Sequence, residues 1–248
     1  MKITGIAVGT AALLLAGLVG QARAEFVVNL QGAAAFTGYN DVRIPGKGGT
    51  DISFSDDLAA DTTFSGRVEI GYLLGTRNYL GVMASPLRVD SHGSVAHNVD
   101  FAGTRFPAGT SLDGTFRFDS YRLTWRYKFS PWQNFDLWLG LTAKIRDAAI
   151  SLEGGGLRAE KTNTGVVPLI NFEAEWRVAP PWSLRLAGDA LGVSQGRAED
   201  VLFAVVRDIG ASTKLFAGYR ILEGGADNDE VYTFSLFHYL VGGVETRF

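Results

Sequence analysis

Apolar and polar positions alternate with a period of two along most of the chain. Leu123, Trp125, Tyr127 and Phe129 share one parity, and Arg122, Thr124, Arg126 and Lys128 share the other. These are the two faces of one β-strand. The next segment repeats the design, with Phe135, Leu137, Leu139, Leu141, Ala143 and Ile145 against Asn134, Asp136, Trp138, Gly140, Thr142 and Lys144. Between the two, Ser130-Pro131-Trp132-Gln133 reads as a tight turn. Ile170, Phe172, Ala174 and Trp176 then alternate with Asn171, Glu173, Glu175 and Arg177, and a turn at Ala179-Pro180-Pro181 leads into a further alternation from Trp182. No run of 18 apolar residues follows residue 24, which excludes a helical membrane span there.

This reading predicts ten strands, at 26–38, 63–74, 78–90, 114–129, 134–148, 165–178, 182–193, 199–208, 212–223 and 230–241. The links at 75–77, 130–133, 179–181 and 209–211 are short, and those at 39–62, 91–113, 149–164, 194–198 and 224–229 are longer. Short turns alternating with long loops are the signature of a transmembrane β-barrel, whose short turns lie in the periplasm. The expected fold is all-β, a single closed antiparallel transmembrane β-barrel of about ten strands, with eight or twelve as alternatives. Long outward loops are expected near 39–62, 91–113 and 149–164.

Charge decides which way the barrel faces. The polar parity carries Arg67, Glu69, Arg122, Arg126, Lys144, Glu173, Glu175, Arg177, Arg185, Asp189, Lys214 and Arg220. An Arg or Lys in hydrocarbon costs roughly 2–4 kcal/mol at the bilayer midplane, whereas opposite charges in a narrow lumen pair with one another. These twelve residues are therefore expected to form an ionic network in an occluded lumen, with the apolar parity facing lipid. Trp125, Trp132, Trp138, Trp176 and Trp182 all lie near the two expected periplasmic turns and suit an interfacial girdle, although Trp138 has the polar parity. His238 shares parity with Phe234, Leu236 and Leu240, which places it on the lipid face, expected near the periplasmic interface.

The amino terminus adds a location. Lys2 precedes the apolar run from Ile6 to Gly20, and Ala22-Arg23-Ala24 has the small-x-small form of a processing site, so residues 1–24 read as a cleaved secretory signal and 25–248 as the barrel. Without Lys2 and Arg23 the formal charge moves from −3 to −5. Nucleic acid is excluded as a general partner by that acidity. The absence of cysteine removes disulfide scaffolds, thiolate metal sites and cysteine nucleophiles.

The signal segment, the strand pattern and the terminal Val244-Glu245-Thr246-Arg247-Phe248 together resemble the small bacterial outer-membrane β-barrel superfamily. That resemblance implies residence in the outer membrane of a Gram-negative-type bacterium, with both termini periplasmic. Membrane lipids, lipopolysaccharide and the assembly machinery that reads the carboxy-terminal strand are the implied partners. Ten-stranded outer-membrane proteases of this superfamily use an acidic pair and an Asp-His pair at the outer rim. In this chain His92 and His97 share an outward segment with Asp90, Asp100 and Asp113, without a spacing that assigns a pair.

The candidate ligand site lies at the extracellular mouth, where Arg146, Asp147, Glu153 and Arg158 face Glu223, Asp227, Asp229 and Glu230 across the barrel end. No catalytic residues and no cofactor are assigned. Asp227, Asp229 and Glu230 suggest a divalent cation at the rim, but the twelve-residue calcium-loop spacing is absent. The expected function is structural or the binding of an extracellular ligand or lipid. A narrow porin-like channel and a rim-sited hydrolase are the rivals, and an enzyme is the less favoured class.

Overall fold

A computed structural model of the protein describes residues 25–193 and 196–248. The signal segment assigned to residues 1–24 lies outside the described residues. Fifteen strands follow in chain order: β1 (Glu25–Arg43), β2 (Ile52–Ser53), β3 (Leu58–Ala60), β4 (Thr63–Leu74), β5 (Asn78–Ser85), β6 (Arg88–Ser94), β7 (Val99–Phe101), β8 (Thr104–Phe106), β9 (Ser111–Trp132), β10 (Phe135–Gly154), β11 (Leu157–Ala179), β12 (Trp182–Val193), β13 (Gly196–Asp208), β14 (Thr213–Asp227) and β15 (Tyr232–Arg247).

Ten staves close a barrel. β5 and β6, separated by Pro86 and Leu87, form a single stave against β9, and the circuit runs β1-β4-β5/β6-β9-β10-β11-β12-β13-β14-β15. The seam between β15 and β1 is antiparallel, from Val27↔Arg247 to Arg43↔Tyr232, with a bulge between Thr37 and Tyr39. Backbone bonds between Phe26 and Phe248 at 3.2 and 2.9 Å join the start of β1 to the residue after β15. By the turn-length rule that end is periplasmic, and the closed edge satisfies every stave within the bilayer.

All ten expected strands are present, but several run farther outward. The segment 149–164, expected as a loop, continues β10 and β11 to a two-residue turn at Gly155 and Gly156. Their φ angles of 58° and 79° fit the left-handed pair that such a hairpin needs. The segments 39–62 and 91–113 also carry short strands. Their hairpin β7–β8 packs against the stretch after β1, with Ala102 N–H bonded to the Ile44 carbonyl at 2.8 Å and Thr50 N–H to the Asp100 carbonyl at 2.9 Å.

β9 shows why the strands overrun their expected ends. Its outward parity reads Tyr121, Leu123, Trp125, Tyr127 and Phe129, and its inward parity Ser120, Arg122, Thr124, Arg126 and Lys128. Above residue 120 the faces exchange character. Asp113, Arg117 and Asp119 then have the outward parity, while Leu112 and Phe116 are buried inward. From Tyr121 to Trp132 is about eleven residues, which at ~3.3 Å each and a ~45° tilt span about 25 Å, the height of a barrel's apolar band. The strand continues past that band into water, where an ordinary apolar interior takes over. There Ile44, Ile52, Phe54, Leu58, Val99, Phe101, Phe106, Leu112 and Leu152 pack as a cap core.

The tryptophans follow the inside-out arrangement with one correction. Trp125, Trp132, Trp176 and Trp182 are exposed on the outer surface, but Trp138 is 9% exposed and points inward. His238 faces outward as its parity requires, but pairs with Phe36 and Ile221 in the outer half of the barrel rather than near the periplasmic interface. Its Nδ1 is hydrogen-bonded to the Tyr219 hydroxyl. Gly38 makes room for the ring, since a Cβ there would lie 2.6 Å from His238 Nε2.

Candidate functional site: a cavity above an ionic plug

The lumen is filled in layers. Toward the periplasmic end, Val27, Leu73, Tyr79 and Trp138 form a small apolar cluster. Tyr79 lies flat against the wall because Gly71 and Gly81 flank it; a Cβ on Gly71 would come within 2.1 Å of its hydroxyl. That hydroxyl donates to Glu69 at 2.7 Å, and the Arg126 guanidinium stacks 4.1 Å from the ring centroid. Below this layer Asp136 accepts from Lys128 at 3.0 Å and from Arg177 at 2.9 Å.

Two ionic layers lie above. In the first, Arg126 meets Glu173 at 2.8 Å, Arg185 meets Glu175 and Glu245 at 2.8 Å each, and Lys214 meets Glu175 at 2.5 Å. In the second, Asp200 is the hub, held by Arg67 and Arg122 at 2.5 Å each, with Arg220 at 3.8 Å. Arg122 also binds Asp189 at 2.5 Å; Asp189 in turn accepts from Thr142 at 2.6 Å and from Asn171 at 2.9 Å. Arg220 stacks on the Tyr239 ring at 4.0 Å. Asp200 is 4% exposed. Desolvating such charges is expensive, so only close pairing with further hydrogen bonds keeps them ionised. The lumen is thus partly occluded by internal salt bridges.

Of the twelve residues expected in this network, eleven make the contacts just given. Lys144 is the exception. It points inward and is 3% exposed, yet has no carboxylate within salt-bridge distance among the described residues. Its ammonium sits 4.6 Å from the centroid of the Phe118 ring. Asp200 and Glu245, both central to the network, escaped the sequence reading. Asp200 shares parity with Leu202, Ala204 and Val206 on a strand apolar on both faces, and Glu245 follows the Gly242-Gly243 break that hides the end of the last strand.

Above the second ionic layer is a cavity of about 680 Å³. It is lined by Lys144 and Arg146 on β10, by Phe116, Phe118, Phe237, Ile150 and Leu222, by Glu223, and by Lys161 and residues 228–231 at the outer end. Arg146 donates to the Asn163 side chain and has no acidic partner among the described residues. Glu223 accepts from the Tyr39 hydroxyl and from Arg197 Nε at 2.8 Å. Lys161 pairs with Glu230 at 3.2 Å.

The eight expected mouth residues therefore divide. Arg146, Glu223, Asp229 and Glu230 line the cavity. Asp147 turns to the outer surface instead, where its hydrogen bonds to Arg117 hold its carboxyl below the usual carboxylate range. Glu153 and Arg158 pair with each other at the exposed β10–β11 tip, and Asp227 is exposed at the end of β14. Alternate residues of a strand face opposite ways, so a cluster contiguous in sequence is split by the wall. Among the described residues no group of three or more His, Asp or Glu could hold a metal ion.

One further constellation lies on the outer surface above the apolar band. His92 Nδ1 is 2.7 Å from Asp113 and its Nε2 is 3.4 Å from Asp61. The hydrogen bond to Asp113 raises the imidazole above its ordinary value, with the Asp61 charge adding to it. His97 makes no such contact in the hydrogen bonds and ion pairs of the described residues.

No protein-family model and no curated protein matches the chain. Solved structures do. The outer membrane protease OmpT from Escherichia coli aligns with a TM-score of 0.56 at 9% identity, over 91% of this chain and 96% of that one. The translocator domain of autotransporter NalP from Neisseria meningitidis aligns at 0.45 and 14% identity, over 94% and 90%. The attachment invasion locus protein Ail of Yersinia pestis, in complex with the heparin analogue sucrose octasulfate, aligns at 0.39 and 10% identity, over 91% and 99%. The likeness to OmpT is one of fold alone, a closed antiparallel β-barrel.

Proposed function

We propose that the protein is a non-enzymatic, non-conducting outer-membrane barrel that binds a small ligand in its extracellular cavity. The observation that carries this reading is the sequence of lumen layers. A cavity open at the outer rim ends on Arg67, Arg122, Arg220, Asp189 and Asp200, all buried, beneath which the first ionic layer and an apolar cluster follow. A cavity closed at its inner end holds a ligand rather than passing it. Its volume is that of a small-molecule site.

The rim hydrolase fares less well against the geometry. His92 is held between two aspartates on the exterior, and Ser91, its neighbour, has the opposite parity and is fully buried. A hydrolytic site needs a nucleophile or an activated water within hydrogen-bond reach of the base.

Planar-bilayer recording tests the reading. The protein is expected to give no steady single-channel openings, whereas Asp200→Ala together with Arg122→Ala, which takes the two most connected charges out of the layer beneath the cavity, is expected to raise the conductance. Steady openings from the unaltered protein would refute the closed-lumen reading in favour of a pore.

A further inference from the structure

We propose that the cavity selects an amphipathic organic anion, with Lys144 and Arg146 as the anion-binding pair and the phenylalanine-rich lining as the seat of its apolar body. The inference rests on the ligand-binding reading above and specifies its ligand class. It starts from a charge imbalance. Lys144 and Arg146 are two residues apart on the inward face of β10, about 7 Å along the strand, and both line the cavity. Neither has an acidic partner among the described residues, although every other inward cation of the lumen has a carboxylate within 4 Å.

The surroundings deepen the imbalance. Beneath the cavity, Arg67, Arg122 and Arg220 face only Asp189 and Asp200. On the wall, Glu223 is already taken by Arg197 and Tyr39, and at the rim Glu230 by Lys161; Asp229 is the one remaining acid, out in the exposed turn. The floor is therefore cationic within a low-dielectric site. Arg146 Nε is buried without a hydrogen-bond partner, and Lys144, 3% exposed, sets its ammonium over the face of Phe118 with no carboxylate in salt-bridge distance among the described residues. An ammonium without a carboxylate and a guanidinium whose Nε is unpartnered and whose one acceptor is a neutral amide call for an anion, and a ligand carboxylate supplies one, with charge-assisted bonds to both.

The remainder of the cavity is not suited to a small inorganic anion. Phe116 packs against Phe237 with ring centroids 5.3 Å apart and lies 6.2 Å from Phe118, and Ile150 and Leu222 complete the apolar lining. Charge at one place and aromatic carbon around it match a molecule with one anionic head and an apolar body.

Calorimetric titration of the full barrel in phospholipid nanodiscs tests this with three probes: 2-naphthoate, its neutral counterpart 2-naphthamide, and inorganic sulfate. The expected result is one saturable site at which naphthoate binds at least tenfold tighter than either of the others. Lys144→Met and Arg146→Gln should each cut that preference severalfold and the double variant should abolish it. Arg146→Lys, which keeps the charge, should retain most of it. If the double variant does not fold, Arg146→Gln and Arg146→Lys alone still decide, because Arg146 lies on the cavity wall rather than in the ionic plug. Equal binding of naphthoate and naphthamide, unchanged in the variants, overturns the anion inference and leaves the cavity reading standing. Sulfate binding as tightly as naphthoate overturns the apolar half of the inference. No saturable binding of either naphthalene probe overturns both readings.

Discussion

Asp200→Asn is the perturbation that most directly weighs the ionic plug. The substitution keeps the shape of the side chain and removes one charge from a site 4% exposed, where Arg67 and Arg122 each approach at 2.5 Å and Arg220 stands at 3.8 Å. Arg122 would keep Asp189, while Arg67 and Arg220 would lose the one carboxylate each of them has. Breaking a buried pair from one side leaves uncompensated charge and costs about 3–5 kcal/mol. Equilibrium urea unfolding in detergent micelles, followed by tryptophan fluorescence, reads the loss. With a slope of about 2–3 kcal/mol per molar, the midpoint should fall by about 1–2 M. Adding Arg67→Met to the same chain should recover at least half of the loss, because it removes one of the stranded cations. A midpoint unchanged by Asp200→Asn, or lowered further by Arg67→Met, would refute the claim that these charges are held by one another rather than by water.

Two further outcomes follow from the faces of the barrel. Leu141, 63% exposed at mid-height on the outer surface, should cost about 2–4 kcal/mol as Leu141→Arg, read as lost folding into phospholipid vesicles, since the side chain would meet hydrocarbon; equal folding yields would contradict the lipid-facing assignment. The His92 imidazole, raised by its hydrogen bond to Asp113, should titrate at a higher pH than in the unfolded chain, and Asp113→Asn should bring its NMR midpoint down. The sign is fixed by linkage: the stabilisation is complete below the ordinary histidine value and is lost as pH rises through the folded one. An unmoved midpoint in Asp113→Asn would show that the contact does not hold the proton.

Period-two alternation, with charge confined to one parity, was enough to determine an antiparallel barrel with lipid outside and ions inside. Most strands carry their own record of which face meets hydrocarbon, as β9 does from Ser120 to Phe129. That record is local, so ten strands were legible. Where β9 and β10 leave the membrane the same parity keeps its direction but changes its chemistry, and Leu112, Phe116, Ile150 and Leu152 turn inward. Alternation read under one rule of polarity stops at that boundary, which is why 149–164 passed for a loop.

The site depended on tertiary structure. Arg67 and Asp200 are 133 residues apart and meet only across a closed lumen, and Glu245 enters the network only because β15 zips onto β1 with Asn29 opposite it. Closure and stagger decide which inward charges stand at the same height, and neither is written in any single strand. The same geometry leaves Lys144 and Arg146 one level above the last carboxylates of the plug. The sequence reads Lys144 as a lumen cation like the rest and Arg146 as a mouth residue; only their height in the barrel makes them the ones without a carboxylate partner among the described residues.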